Sequence, residues 1–280
     1  MTDVVSIHKL STFIGHISDI KKKPDHTLFF RGHADTGYQA QPSIFRPIPD
    51  SDTALKYIDK EDQLFHDMIM RCPEDFANCS SAFDFLVKMQ HYGLPTRLLD
   101  ITSNPLVALF FACFTLSGTG KSGKIGEVLI YQVPDKDIKF YDSDTVSVIC
   151  NLAKLQSDFD INKVNDRKRY IHTIKAEKPY FEDSIVEDDL HRVICVKPKL
   201  DNKRIIKQSG AFLLFGMGKG TGYQKVTPAK IPDEFHTASI NRINISASFK
   251  SKIIDELKSV AISEATLFPE IDSVARFLKG

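Results

Sequence analysis

A group of polar side chains lies between two hydrophobic runs, within the stretch from Ser81 to Phe114. An amphipathic run precedes it and a strongly apolar run follows it, so core residues are expected on both sides. Hydrogen-bonding and charged groups held against a core are what a ligand site needs. The stretch therefore predicts one wall of such a site. Its polar residues are Gln90, His91, Tyr92, Thr96, Arg97, Asp100, Thr102 and Ser103.

Two shorter polar islands interrupt hydrophobic sequence elsewhere, Phe30-Arg31-Gly32 and Gln208-Ser209-Gly210. An arginine at the end of a strand can hold a phosphate or carboxylate through two parallel hydrogen bonds, and a nearby Ser or Thr can bond a ribose. Gly32 allows a ligand or another backbone to come close. Together with the first stretch, these islands predict a nucleotide cleft. The alternative for Arg31 is a structural ion pair with Asp100 or with a helix carboxylate.

Two titratable groups of the main stretch have candidate chemical roles. His91 is a candidate acid or base, or else a partner for the C-terminal dipole of a helix. No Ser/His/Asp hydrolase pattern surrounds it. Asp100 stands among three aliphatic residues, which predicts an inward carboxylate. Because an unpaired buried charge is costly, this carboxylate is expected to pair with Arg97 or Arg31.

A later segment mixes basic and aromatic residues, a pattern compatible with phosphate and base contacts. The alternative is a solvated, charged helix. The candidate nucleic-acid residues are Lys163, Arg167, Lys168 and Arg169, and the aromatic residues near them are Tyr170, Tyr180 and Phe181.

Local patterns predict the elements that position these groups. Apolar residues at helical spacing predict helices over 5–21 and from about 53 to 70, and β-formers predict strands near 27–30 and 127–133. Gly93 ends one helix, and Asn104-Pro105 begins another that is apolar on nearly every side. The chain is rich in β-formers after Arg192, and 246–280 has helical spacing again.

These elements predict one α+β domain over 1–280, with mixed or antiparallel sheets flanked by helices and a motif core over 27–216. The 37 basic and 36 acidic residues nearly cancel, so bulk charge does not indicate a nucleic-acid or membrane partner. No stretch reaches the roughly 18 apolar residues of a membrane span. Five cysteines without metal-site spacing favour free thiols, a cytoplasmic protein and no metal. Neither GxxxxGK[ST] nor a strand-to-helix GxGxxG is present.

The motifs Phe30-Arg31-Gly32, His91–Ala112 and Arg204–Phe215 resemble the FRG domain, which is named for its Phe-Arg-Gly motif. The resemblance spans about 28–215, and LFPEID at Leu267–Asp272 is similar to the ending of that family. Ile101 stands where a Trp is expected in many members, a difference that affects packing more than chemistry.

A more distant resemblance is to ADP-ribosyltransferases, which have an Arg or His on a first strand, Ser/Thr residues on a second strand and a late Glu or Gln. Arg31-Gly32 and Thr102-Ser103 are similar to the first two parts, and Gln208 or Glu264 to the third. The resemblance implies a central cleft that takes NAD as a substrate. The implied catalytic residues are Arg31, Thr102, Ser103 and Gln208, and the implied NAD-binding residues are Arg31, Gly32, His91, Tyr92, Arg97 and Asp100.

This resemblance also implies a macromolecular acceptor, which is RNA, DNA or protein, and a toxin or antiphage effector with an antitoxin partner. The alternative function is a non-catalytic FRG module that recognises a nucleotide, a nucleic acid or a partner protein through the same cleft. A shared cleft for Arg31, Thr102 and Gln208 is required by both hypotheses.

Overall fold

A single open sheet of eight strands organises the part of the chain that the computed structural model describes, residues 5–49, 55–114, 123–219, 224–237 and 241–270. The strands are β1 (Val5–Ile7), β2 (His26–His33), β3 (Leu98–Thr102), β4 (Gly126–Pro134), β5 (Ile138–Phe140), β6 (Val193–Lys197), β7 (Gly210–Phe215) and β8 (Arg242–Ile245). Their order in the sheet is β1-β8-β4-β2-β3-β7-β6-β5. The two outermost pairs, β1 with β8 and β5 with β6, are parallel, and the inner neighbours are antiparallel.

The α-helices of the described residues are α1 (Leu10–Ser18), α2 (Glu61–Arg71), α3 (Pro73–Phe76), α4 (Ala82–His91), α5 (Pro105–Cys113), α6 (Asp144–Asn151), α7 (Val164–Lys175), α8 (Glu187–Leu190), α9 (Lys203–Lys207), α10 (Lys250–Lys258) and α11 (Glu264–Leu267). Together with the mixed sheet they confirm the predicted α+β class. None of the helices in these ranges is long and apolar enough to cross a membrane.

Helices cover one face of the sheet in two adjacent clusters. Residues of α1, α5 and α10 pack on the half of the sheet that contains β2, β4 and β8. Residues of α2, α4, α6 and α7 pack on the half that contains β3, β6 and β7. Successive residues of a strand face opposite sides, so a third cluster forms on the other face, where Phe29, Leu99 and Tyr131 meet the short 3₁₀ turn Ser43–Phe45. A boundary between the two helical clusters therefore runs over β2 and β3.

Capping residues define the ends of the two helices that flank β3. Ser81 accepts a hydrogen bond from the backbone N–H of Asp84 at the start of α4, and Gly93 follows the helix with a φ of 84°. Asn104 accepts one from the N–H of Leu106 at 2.9 Å at the start of α5. Gly93 and Asn104 stand where the sequence predicted them, because caps depend on residue type within a few neighbouring positions.

The ends of the chain differ from the prediction. The helix expected over 5–21 is replaced by strand β1 and the shorter helix α1, because Val5–Ile7 pairs in parallel with Ile243–Ile245 at the sheet edge. Residues 53 and 54 of the helix expected from about 53 to 70 lie outside the described residues, and the helix is present from Glu61, after a 3₁₀ turn at Tyr57–Lys60. The predicted C-terminal helical end is present as α10 and α11, and residues 271–280 lie outside the described residues.

Candidate functional site

Strands β2 and β3 are neighbours that pair through a single residue from each, Phe30 opposite Thr102. On its other side, β2 pairs with β4 along its whole length, from His26 to His33. The sheet therefore opens between β2 and β3. A cavity of about 200 Å³ lies at this opening, at the boundary between the two helical clusters.

The cavity, which we call the central cleft, brings together residues from separate parts of the chain. Its apolar walls come mainly from both helical clusters, through Phe30, Val107, Phe111, Ile205 and Phe212, and Ile101 and Ala211 of the third cluster complete them. The polar side chains at its walls are Arg31, Asp100, Thr102, Arg204 and Gln208. Of the predicted catalytic residues, Arg31, Thr102 and Gln208 thus line one cleft.

Arg31 is fixed by two hydrogen bonds. Its Nη1 donates to the backbone oxygen of Asp100 at 2.6 Å, which joins β2 to β3 where their ladder has ended. Its Nε donates to Nε2 of His33 at 2.9 Å. Since that nitrogen of His33 accepts, its Nδ1 carries the proton and donates to Oε1 of Glu127 at 3.0 Å. Oε2 of Glu127 is 3.0 Å from Nε of Arg242, so an ordered chain of charged and polar groups extends behind Arg31.

Burial governs the charge of this chain. It lowers the pKa of Arg31, and the charges of Asp100 and Tyr131 oppose that effect. It also lowers the pKa of His33, which the hydrogen bond to Glu127 opposes and the charge of Arg31 reinforces. A neutral His33 is the form that can accept from Arg31, so the geometry and the electrostatics agree.

Thr102 and Gln208 are engaged in internal hydrogen bonds. The hydroxyl of Thr102 donates to the backbone oxygen of Gln208 at 2.6 Å and accepts from the N–H of Asn104 at 3.0 Å. The carboxamide nitrogen of Gln208 donates to the backbone oxygen of Leu267 at 3.1 Å. Ser103 does not line the cleft, and its exposed hydroxyl donates to the backbone oxygen of Ser209 at 3.4 Å. These bonds hold α9 and α11 against the end of β3.

Gly32 serves a packing role. A β-carbon at this position would overlap the carbonyl oxygen of Ala108 and lie 2.7 Å from the backbone nitrogen of Ala112. Gly32 therefore lets α5 lie directly on β2. Of the two possibilities that the sequence left open, close approach of a backbone accounts for this glycine.

The structure corrects the predicted role of Arg97. Its side chain is fully buried, and Nη2 donates to Oε2 of Glu61 at 2.6 Å. Lys225, also fully buried, donates to the same oxygen at 2.9 Å. These three side chains, which we call the buried ion cluster, lie outside the lining of the central cleft. Because Arg97 has no exposed surface, it is not placed to bind NAD.

Asp100 also differs from the prediction. It is exposed, because β3 borders the opening of the sheet at this point. Its Oδ2 accepts from Nε2 of Gln90 at 2.8 Å, and Arg31 bonds its backbone oxygen, whereas neither predicted arginine forms an ion pair with its carboxylate in the described part of the chain. The carboxylate is therefore available at the edge of the cleft.

His91 lies in a smaller cavity of about 80 Å³ that shares Asp100, Arg204 and Gln208 with the central cleft. Its Nε2 is 3.8 Å from Oε1 of Glu270. Burial lowers the pKa of His91, the charge of Arg204 adds to this, and Glu270 opposes it. The site thus extends from Arg31 to a histidine whose neutral form is favoured.

Tyr92 is 60% exposed and packs edge-on against the ring of His91 at 5.0 Å. It lines a neighbouring open groove of about 490 Å³, together with Asp84, Lys88 and Lys199. This surface, which we call the side groove, shares His91 and Ile205 with the smaller cavity. Tyr92, one of the implied NAD-binding residues, therefore does not line the central cleft.

Sequence reasoning did not select two residues of the site, Arg204 and Glu270. Arg204 lies 4.8 Å from the ring centre of Phe268, and it lines both the central cleft and the smaller cavity. Both residues stand in motifs that carried the resemblance, RIIKQSG and LFPEID. Glu264, the carboxylate that the sequence did select, begins α11 and lines neither cavity.

The predicted nucleic-acid residues lie on and just before α7. Lys163, Lys168 and Arg169 are exposed. Arg167 donates to both carboxylate oxygens of Asp183, at 2.8 and 2.6 Å, so its charge is paired. Tyr170 is fully buried and has no face on which a base could stack. The helix has the form of a solvated charged helix with one buried stripe.

The described residues contain no group of three or more His, Cys, Asp or Glu arranged to hold an ion. All five cysteines are free. Burial raises the pKa of Cys113 to about 12, so its thiol stays protonated and contributes to packing.

The fold and the site define an α+β protein whose open sheet carries a cleft with two arginines. Residues 26–118 match the family model of the FRG domain. This part of the chain is therefore similar to the FRG domain, and the matched range includes Arg31, His91, Asp100 and Thr102. Arg204, Gln208 and Glu270 lie beyond that range. No curated protein and no solved structure matches the chain.

Proposed function

We propose that this protein is an NAD-dependent ADP-ribosyltransferase that modifies a macromolecule. One observation carries the proposal. Strand β2, with Arg31, and strand β3, with Thr102, are neighbours that pair through only one residue from each, and Gln208 lines the cleft between them. This juxtaposition supports the three-part likeness that the sequence has to such enzymes.

The lining of the central cleft suits part of a dinucleotide. Arg31 and Arg204 supply positive charge for phosphate oxygens. Phe30, Phe111 and Phe212 supply apolar surface for a planar ring. The volume of about 200 Å³ suits the nicotinamide riboside part of NAD. The rest of the dinucleotide would extend toward His91.

Transfer breaks the bond between ribose C1′ and the nicotinamide nitrogen, and the electron pair leaves with nicotinamide. An oxygen or nitrogen of the acceptor then bonds to C1′ and loses a proton. The carboxylate of Asp100 is the negative group at the edge of the cleft that would stabilise the developing positive charge and accept that proton. Gln208 carries no charge, and we assign it a positioning role.

Thr102 can still take part. One lone pair of its hydroxyl oxygen accepts from Asn104, and a ribose hydroxyl would donate to the other.

We propose the side groove as the place where the acceptor macromolecule, RNA, DNA or protein, approaches the cleft. Action as a toxin or antiphage effector, held in check by an antitoxin, belongs to the same proposal.

The test is transfer of label from NAD. Purified protein is incubated with labelled NAD, total RNA and cell lysate, and NAD binding is measured by calorimetry. We expect label transfer by the wild type and loss of transfer in Asp100→Asn with NAD still bound. Lys207→Gln, an exposed change on α9 outside the cleft, is the matched control. Absence of both transfer and NAD binding in the wild type contradicts the proposal.

A second candidate function, a non-catalytic FRG module, is supported by the internal hydrogen bonds of Thr102 and Gln208. Such a module would bind a nucleotide, a nucleic acid or a partner protein in the same cleft without transferring anything. Under this function, wild type and Asp100→Asn both bind and neither transfers label. Growth inhibition on expression separates the two functions further, because only the enzyme predicts that Asp100→Asn relieves it.

A further inference from the structure

A second cavity, of about 690 Å³, lies away from the central cleft. Its floor includes Leu129, Tyr131, Phe215 and Ala229, all of which belong to the hydrophobic cluster on the face of the sheet opposite the helices. The apolar walls of the central cleft come mainly from the other two clusters, with Ile101 and Ala211 from this one. The two cavities share no lining residue within the described part of the chain. The second one falls within the range of about 300–1,000 Å³ that small-molecule sites span.

Lysine, histidine and arginine line this opposite-face cavity, so the charge that its lining can carry there is positive. Lys230, His236 and Arg242 line it, and no Asp or Glu does so among the described residues. The pairing of Lys230 with Asp233 is between two largely exposed side chains and is weak for that reason. Arg242 approaches Glu127 through Nε, and its Nη groups make no hydrogen bond within the described residues. Amides of Gln39, Gln41 and Asn241 complete the polar lining.

Tyr131 provides an independent indication of a ligand. Tyr131 is only 3% exposed, and its hydroxyl makes no hydrogen bond within the described residues, yet it is not among their buried polar atoms that lack a partner. The hydroxyl therefore opens into the cavity, where it is available to a ligand. Burial raises the pKa of Tyr131 to about 12, so the hydroxyl is a neutral donor. The ring centre of His236 is 6.4 Å away, at an interplanar angle of 38°.

We propose that the opposite-face cavity is a second ligand site, which takes a nucleotide. The phosphate lies at Arg242 and Lys230, where the cationic groups of the lining are found. The base lies on the apolar floor beside Tyr131 and His236. The Tyr131 hydroxyl donates to the nucleotide, and this bond gives it the partner that the protein does not supply. The proposal does not rest on the transferase proposal, although the polar chain from Arg31 through His33 and Glu127 reaches Arg242 in the lining of this cavity.

Calorimetry with AMP, and with adenosine as its uncharged counterpart, tests the site. We expect AMP to bind the full chain and adenosine to bind at least about tenfold more weakly, because a charge-assisted hydrogen bond is lost. Lys230→Gln and His236→Gln are exposed changes that should not affect folding, and each should weaken AMP binding. Tyr131→Phe should weaken it by about tenfold.

The melting temperature makes Tyr131→Phe decisive. Since the hydroxyl has no partner in the described residues, its removal should leave Tm unchanged or raise it while AMP binding weakens. A lower Tm would reveal an internal partner and overturn the premise. Failure of AMP to bind, or binding that survives all three substitutions, would refute the site. Arg204→Gln, in the central cleft, should leave AMP affinity unchanged, and loss of AMP binding in that variant would place the nucleotide in the cleft instead.

Discussion

Arg31 donates its Nε–H to Nε2 of His33 at 2.9 Å. Only a neutral imidazole can accept in this way. Protonation of His33 would place an N–H on its Nε2, facing the Nε–H of Arg31, and would add a positive charge beside that arginine. The contact therefore ties the position of Arg31, at the central cleft, to the protonation state of a buried histidine that lies behind it.

We expect acidification to destabilise the fold through His33. Burial lowers its pKa in the folded protein, although Glu127 opposes this, whereas the unfolded value is about 6.5. The unfolded chain therefore binds more protons as pH falls below about 6.5, so this contribution to the free energy of unfolding is complete above that pH and is lost below it. Urea unfolding at several pH values should show a steeper acid loss for the wild type than for His33→Gln. Parallel profiles would contradict the assignment, and His66→Gln, at an exposed histidine, is the control.

Gly32→Ala should destabilise the protein by about 3 kcal/mol, because its β-carbon would overlap the backbone of α5. Gly15→Ala is the matched control, since no atom lies within 4 Å of the added carbon in helix α1, and it should stabilise by up to about 1 kcal/mol. Chemical denaturation of the two variants measures both effects. An unchanged unfolding midpoint in Gly32→Ala would show that α5 can move away from β2.

Glu61→Gln should cost about 3–5 kcal/mol, because it leaves two buried cations without their shared carboxylate. Burial acts to raise the pKa of Glu61, but Arg97 and Lys225 outweigh it and hold the pKa below the usual value. Unfolding by urea gives the change in free energy. Asp188→Asn, which removes an exposed partner of Lys219, should have little effect. If Glu61→Gln changed the free energy of unfolding as little as Asp188→Asn does, the buried ion cluster would make no contribution to stability.

Arg204→Gln should weaken NAD binding by about tenfold while leaving Tm nearly unchanged, because its half-exposed side chain lines the central cleft. Calorimetry with NAD and a thermal melt measure the two quantities. Lys207→Gln, on the same short helix, should bind as the wild type does. If both variants bind NAD equally well, Arg204 does not contact the dinucleotide.

Local signals were sufficient for much of the fold. The end of α4 and the start of α5 depend on Gly93 and Asn104, whose effects act over a few residues. The strand expected at 127–133 is β4 for the same reason, since its β-formers are contiguous. The parallel pairing of β1 depends on residues more than 230 positions away, at Ile243–Ile245, and local periodicity therefore could not reveal it.

The sequence predicted which residues line the cleft better than it predicted their hydrogen-bond and ion-pair partners. Arg31, Thr102 and Gln208 were expected to meet, and the structure places them around one cleft. The partner of Arg97 is Glu61, 36 positions away, and nothing in the neighbourhood of Arg97 distinguishes a buried ion pair from a ligand contact. Likewise, the exposure of Asp100 follows from the opening of the sheet, which is a property of two strands together.

Strands β2 and β3 pair through only one residue from each, and this divides the described sheet into two parts. On one side lies a plate of four strands, β1-β8-β4-β2, and on the other a second plate, β3-β7-β6-β5. Phe30 with Thr102, and the bond from Arg31 to Asp100, join the plates within the sheet, and the hydrophobic cluster on the face opposite the helices spans both. A ligand in the central cleft would contact both plates, Phe30 and Arg31 from one and Asp100 and Phe212 from the other, and would hold them together.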